Sequence, residues 1–159
     1  MKRPRPKSAD AGPSQPNAGP RLIGWKEYLG FPAWGVARVK VKIDTGARTS
    51  ALGVMSYELR EADGLGLVAE LRLSLQRKQP GPSIVVHAPV LRMVVVRNST
   101  GMYEQRPLIE TEVCLGSVCK RVQFTITNRA AMRFPVILGR KALEGDFVVD
   151  VSKKYLLRS

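Results

Sequence analysis

From Val36 to Ile43 apolar and basic residues alternate without a break, with Ala37, Val39, Val41 and Ile43 on one face and Arg38, Lys40 and Lys42 on the other. A period of two belongs to an extended strand with one face in a core and the other in water. The pattern returns over residues 68–75, where Ala69, Leu71, Leu73 and Leu75 oppose Glu70, Arg72 and Ser74. Residues 83–96 are apolar enough for one or two strands, interrupted at Pro89. Residues 108–115 and 118–127 face each other across Gly116-Ser117, a short connection that reads as a hairpin. Residues 136–138 and 147–151 complete the set, and the best helical candidate is the short segment 140–144. The expected class is all-β, a closed or sandwiched barrel with one short helix.

A chain of 159 residues suits one domain with a real core. Residues 1–20 hold five prolines and almost no large apolar side chains, a composition that cannot offset its ordering entropy. They are expected to form a disordered basic tail, leaving 21–159 as the folded domain. In the tail Lys2, Arg3, Arg5 and Lys7 outweigh Asp10 by +3, so +10 of the formal +13 belongs to the folded part. That excess attracts polyanions such as acidic peptide or nucleic acid. No run approaches the roughly 20 apolar residues of a membrane span, and no apolar core follows the N-terminal charges. A cytoplasmic address with no membrane partner is the expectation.

Little in the sequence offers metal or nucleotide chemistry. His87 is the one histidine and lies in an apolar run, where a structural role is usual. Cys114 and Cys119 flank the Gly116-Ser117 connection. In a cytoplasmic protein they read as reduced core thiols in preference to a disulfide, though they could face each other across the turn. No glycine-rich phosphate loop is present, and no cofactor or metal is expected.

The first strand runs into Lys42-Ile43-Asp44-Thr45-Gly46-Ala47-Arg48-Thr49-Ser50. Asp44 supplies a carboxylate and Thr45 a hydroxyl that donates and accepts. Gly46 supplies a backbone that turns sharply and can bring its N–H to the carboxylate. Alone, such a triplet describes a turn capping a strand. About ninety residues later comes Pro135-Val136-Ile137-Leu138-Gly139-Arg140, an apolar triplet followed by glycine and a cation.

Together, strand-D-T-G-A and I-L-G-R with a following short helix resemble the retropepsin-like aspartic proteases, the family of the retroviral enzymes. The resemblance covers roughly residues 36–151. Ile23-Gly24-Trp25-Lys26-Glu27, the K-I-D-T-G-A-R-T-S-A-L block, Glu104-Gln105-Arg106-Pro107 and Leu138-Gly139-Arg140-Lys141-Ala142-Leu143 narrow it. They are similar to a bacterial branch labelled ATP-dependent zinc protease, often linked to ATP-grasp glutamate ligases that modify ribosomal protein. A histidine common in that branch after Ala-Leu is Gly53 here, which weakens any metal assignment.

The resemblance implies a closed retropepsin-like barrel and a homodimeric aspartic endopeptidase, because this chain has one D-T-G and the chemistry needs two carboxylates. Asp44 would be the general acid/base. Gly46 would hold its carboxylate, Thr45 would bond across the two-fold axis, and Ala47 would complete the loop. Ile137, Leu138 and Gly139 would pack behind the loop. Ser99, Thr100, Gly101 and Met102 would form the flap over the substrate, with Arg48 beside it. Retroviral enzymes carry an acid where this chain has Arg48, so Arg140 needs another partner, for which Glu104 and Glu144 are candidates. The long interval between Asp44 and the flap implies extra strands. Basic charge with a glutamate-ligase link favours acidic or glutamylated substrates. The alternatives are a non-catalytic dimeric binding module on the same fold and a basic nucleic-acid-binding β-domain. The second rests on charge alone, since aromatics make up only 6% of the chain; nucleic acid is expected to bind only non-specifically.

Overall fold

A strand from late in the sequence is inserted between two early ones, and this arrangement organises the rest. The computed structural model describes residues 19–64, 66–74, 83–98 and 100–157. The expected tail therefore falls almost wholly outside the described residues. Eleven strands are found among them: β1 (Arg21–Ile23), β2 (Lys26–Phe31), β3 (Val36–Ile43), β4 (Ser50–Val54), β5 (Ser56–Ala62), β6 (Gly66–Leu73), β7 (Ile84–Arg97), β8 (Tyr103–Leu115), β9 (Val118–Asn128), β10 (Val136–Leu138) and β11 (Phe147–Val149). The one α-helix, α1, is a single turn over Arg140–Leu143.

Nine strands form one sheet in the order β2-β3-β10-β4-β9-β8-β7-β6-β5, and β1 pairs with β11 in a small parallel sheet. β2 also returns to β8 through the single pair Gly30↔Cys114. The strands from β2 to β8 thus make a ring closed at one residue pair rather than along a ladder, with β7, β6 and β5 continuing beyond it. This is looser than the expected closed barrel. At the closing point β2 shifts register between Leu29 and Phe31, and a Cβ on Gly30 would sit 2.9 Å from the Ala37 carbonyl oxygen. The backbones approach too closely there for a side chain.

Strand alternation builds the core. Val39, Val41 and Ile43 of β3 are buried, as are Ala69, Leu71 and Leu73 of β6 and Val122, Phe124 and Ile126 of β9. Pro89 does not divide residues 84–97. It pairs with Val68 at the end of the β6–β7 ladder, and from Val90 onward β7 pairs with β8 instead. The proline sits where the strand changes partners and one missing N–H is least disruptive. The long interval after Asp44 is filled by the β5–β6 hairpin.

Cys114 and Cys119 are directly opposite in the β8–β9 register, with Cα atoms 4.0 Å apart, and are joined as a disulfide. This corrects the reading as core thiols. Val113 and Leu115 take the inward positions on β8, and Val118 and Val122 those on β9. Cys119 is left exposed and Cys114 half-buried.

β2 hides the least expected core residue. Its inward positions are Glu27, Leu29 and Phe31, and Glu27 is 0% exposed. The Glu27 carboxylate accepts N–H groups from Gly24 at 2.8 Å, Leu156 at 2.9 Å and Leu157 at 3.2 Å. Trp25 donates to the Lys153 carbonyl and Tyr155 to that of Lys26, both at 2.8 Å, so the C-terminal segment is bound along β2. Gly24 must be small, because a Cβ would collide with the backbone of Lys153 and Lys154.

A buried carboxylate that satisfies three backbone donors cannot be deleted cheaply. Glu27→Ala is expected to lower unfolding free energy by about 3–5 kcal/mol in urea titrations, and Glu27→Gln by less, since the amide oxygen still accepts. Equal midpoints for wild type and both variants would contradict this role.

Candidate active site

Asp44 opens the connection between β3 and β4, two strands that are not neighbours. β10 fills the gap between them, parallel to β3 through Val136↔Val41, Ile137↔Lys42 and Leu138↔Ile43. On its other side it runs antiparallel to β4 through Val136↔Leu52 and Ile137↔Ala51. Asp44 N–H donates to the Leu138 carbonyl at 2.8 Å, extending the ladder by one bond. The Ala47 N–H returns to the Asp44 carbonyl at 3.2 Å, closing a tight turn, while Gly46 N–H donates to Asp44 Oδ1 at 3.0 Å. The carboxylate is thereby held by its own loop, with its second oxygen outside that bond.

The far half of the loop is held by the start of α1. Arg140 N–H donates to the Ala47 carbonyl at 2.7 Å and Lys141 N–H to that of Arg48 at 3.1 Å. Gly139 N–H is bonded by the buried Ser50 Oγ at 3.0 Å. Gly139 leaves no room for a side chain: a Cβ would sit 2.8 Å from Ala47 O and Thr49 C and 2.9 Å from Arg48 C. The loop rests directly on Gly139, the residue between β10 and α1. Asp44 is half-buried, whereas Thr45, Gly46, Arg48, Arg140 and Lys141 are exposed, so three cations belong to the loop and the turn that braces it.

Fold therefore brings Asp44, Thr45, Gly46, Ala47, Arg48, Ile137, Leu138, Gly139 and Arg140 together. The partner of Arg140 is neither Glu104 nor Glu144. Its Nη1 donates to the Thr45 carbonyl at 3.0 Å, which ties α1 to the D-T-G loop from outside. Glu104 is taken by Arg106 Nη2 at 2.7 Å and Asn98 Nδ2 at 3.2 Å. The hydrogen bond from Arg106, then that from Asn98, holds the Glu104 carboxyl below the ordinary glutamate range.

Of the expected flap residues, Ser99 lies outside the described residues. Thr100, Gly101 and Met102 cap the hairpin of β7 and β8, 14 and 13 residues long. Asn98 Oδ1 accepts from Thr100 N–H, Thr100 Oγ1 and Met102 N–H, so the tip is shaped by one side chain. Val95, Met102 and Tyr103 stand exposed around it. At the hairpin's root Arg106 Nη1 reaches the Ile126 carbonyl at 3.0 Å. Ser50 and Arg106 stand inside blocks that carry the resemblance but receive no role from the sequence: a serine before an alanine, or an arginine in a polar run, does not show what it will bond. His87, expected in an apolar setting, is exposed and stands 3.9 Å from Glu70. Among the described residues no group of three or more His, Cys, Asp or Glu could hold a metal ion.

A lone D-T-G loop between two strands, with a later I-L-G strand threaded behind it, defines a retropepsin-like fold. Residues 22–159 match the family model described as RimB-like, retropepsin-like aspartic endopeptidase RimB, and the chain belongs to that family. A protein of Shewanella halifaxensis named probable alpha-L-glutamate ligase is 30% identical over 138 residues, covering 86% of this chain and 30% of its own length. One of Parasynechococcus marenigrum with the same name is 31% identical over 134 residues, covering 81% of this chain and 28% of its own. The chain thus spans about a third or less of these relatives. A crystal structure of a Legionella pneumophila protein of unknown function superposes with a TM-score of 0.71 at 18% identity, covering 86% of this chain and 98% of that one.

Gly139→Ala tests the crowding behind the loop. The added methyl must push on backbone rather than on a flexible side chain. A loss of about 2–3 kcal/mol is expected, with shifted amide resonances from Asp44 to Thr49. Unchanged stability and unchanged amide shifts would show that the contact is slack.

Proposed function

We propose that the chain is an aspartic peptidase that works as a C2 homodimer, each subunit supplying one Asp44 to a shared site. The observation carrying this reading is the loop itself: a half-buried carboxylate gripped by the Gly46 N–H and braced by β10, on a family fold named for aspartic endopeptidases. The chain contains one such triplet, so a second carboxylate must come from a second copy.

Two carboxylates about 3 Å apart cannot both ionise cheaply, so the pair shares one proton. The ionised Asp44 takes a proton from water as the water oxygen bonds to the scissile carbonyl carbon. The protonated Asp44 of the other subunit gives its proton to the carbonyl oxygen. The tetrahedral diol then collapses: one diol hydroxyl returns its proton to the now ionised Asp44 as the C–N bond breaks, and the leaving nitrogen takes the proton of the other Asp44, so the pair again holds one proton. Thr45 bonds the two loops across the two-fold axis, and the Asn98-shaped tip with Met102 closes over the bound chain and excludes water. Arg140 steadies the Thr45 carbonyl.

The substrate is an acidic peptide or a glutamylated protein, cleaved at a peptide or isopeptide bond. Arg48, Arg140 and Lys141, in the loop and the turn that braces it, raise the local concentration of anionic chains. The relatives named as alpha-L-glutamate ligases support the same class. No helix among the described residues is long and apolar enough to cross a membrane.

Purified protein should hydrolyse α-linked oligoglutamate faster than neutral peptides of equal length. Asp44→Asn should lower that rate by at least about a thousandfold while binding persists. Equal hydrolysis by the Asp44→Asn protein would remove the carboxylate mechanism, and equal rates on neutral peptides would remove the acidic preference.

A further inference from the structure

A cationic face outside the loop is formed by the outer side of β2–β3. Arg38, Lys40 and Lys42 point away from the core, because Val39, Val41 and Ile43 take the inward positions. On β2 the outward residues are Lys26 and Tyr28, with Lys26 opposite Lys42 and Tyr28 opposite Lys40. The sole acid of either strand, Glu27, is buried on the other side. No ion pair among the described residues involves Arg38, Lys40 or Lys42. The exposed Lys153 and Lys154 lie in the segment bound to β2. The outward positions of β2 and β3 thus carry cations and no acid, while Lys153 has Asp150 as a neighbour in its own turn.

The rings beneath this face are already engaged. The Arg38 guanidinium stands 3.8 Å over Tyr28, whose ring stacks on Tyr155 at 4.7 Å. Lys26 Nζ lies 4.8 Å from the Trp25 ring and 5.6 Å from Tyr155, and Trp25 meets Phe134 edge-on. The aromatics orient cations rather than present open faces for bases to stack on, which favours a peptide over single-stranded nucleic acid.

Spacing narrows the ligand. Every second residue of a strand is about 6.7 Å along, so Arg38, Lys40 and Lys42 form a ladder whose next position in phase is Asp44. An extended α-linked acidic chain places alternate side chains at the same interval. We infer that the β2–β3 outer face is a docking strip for an extended, α-linked polyglutamate segment of the substrate, held by Arg38, Lys40 and Lys42 and leading to Asp44. This rests on the reading of an acidic substrate and assigns its recognition to residues outside the loop. γ-linked chains lack the match, because their backbone runs through the side-chain methylenes and their free carboxylates repeat on a longer, more flexible unit.

The test uses the full chain with Asp44→Asn, so that binding is read without turnover. Fluorescence anisotropy follows a labelled α-linked glutamate octamer, a γ-linked octamer and a single-stranded RNA of equal charge. Circular dichroism checks the fold of each variant. Lys40→Glu with Lys42→Glu is expected to weaken α-octamer binding by at least about tenfold, whereas Arg121→Glu, an exposed charge on β9, leaves it unchanged. The α-linked octamer should bind more tightly than the γ-linked one and the RNA. Equal affinity for both linkages would overturn the register argument, and preferred RNA would overturn the acidic-peptide assignment. Unchanged α-octamer affinity in the double variant would overturn the strip while leaving hydrolysis at Asp44 untouched. If binding depends on Lys40 and Lys42 but the wild type cleaves no oligoglutamate, the strip stands and the peptidase reading fails.

Discussion

β10 occupies the space between two strands that are consecutive in sequence, and the D-T-G loop has to bridge over its end. The Asp44 N–H finds its acceptor on Leu138, the loop carbonyls of Ala47 and Arg48 find donors at the start of α1, and Gly139 touches the loop backbone without a side chain between. None of these partners is local. A loop that would otherwise be a mobile surface turn is fixed by residues roughly ninety positions away, so the carboxylate's orientation is a property of the tertiary fold. That is the form of support an acid/base pair needs, because its chemistry depends on carboxylate geometry rather than on carboxylate presence.

The same principle recurs at the other edge of the structure. Glu27 is a charge in the core that draws the C-terminal segment onto β2 by satisfying the N–H groups of Gly24, Leu156 and Leu157. Burying a carboxylate is costly unless its lone pairs are met, and here backbone donors from two chain segments meet them. Tyr155 is thereby brought onto Tyr28, and with it the cations that Tyr28 and Tyr155 orient on the outer face. Buried acid and outward bases thus lie on opposite faces of the paired strands β2 and β3, set by their period of two.

Legibility in the sequence followed from how uniform each element's environment is. β3, β6, β9 and β10 bury one face or both against apolar neighbours, and their patterns were plain. β2 was hidden because its inward row includes a glutamate, and β4 because Ser50, Leu52, Gly53 and Val54 are buried without regular alternation. β5 is a charged edge strand with almost nothing inside. At the site, Asp44, Gly46 and the Ile137-Leu138-Gly139 brace were readable because turn chemistry and an apolar triplet leave local marks. The bonds from Arg140 to the Thr45 carbonyl and from Ser50 to Gly139 were not, since each depends on where two distant backbones meet. The disulfide was missed for a related reason: spacing gives proximity, but only the hairpin register shows that both side chains lie off the core.

The central claim is that one Asp44 per subunit is insufficient and two form the working pair. Wild-type protein and the Asp44→Asn variant can be mixed at constant total concentration, allowed to exchange subunits, and assayed for hydrolysis of α-linked oligoglutamate. If both carboxylates are required, activity follows the square of the wild-type fraction, falling to about a quarter in an equal mixture. A rate that falls in simple proportion, to about half, would mean that each subunit acts on its own and would contradict the shared site.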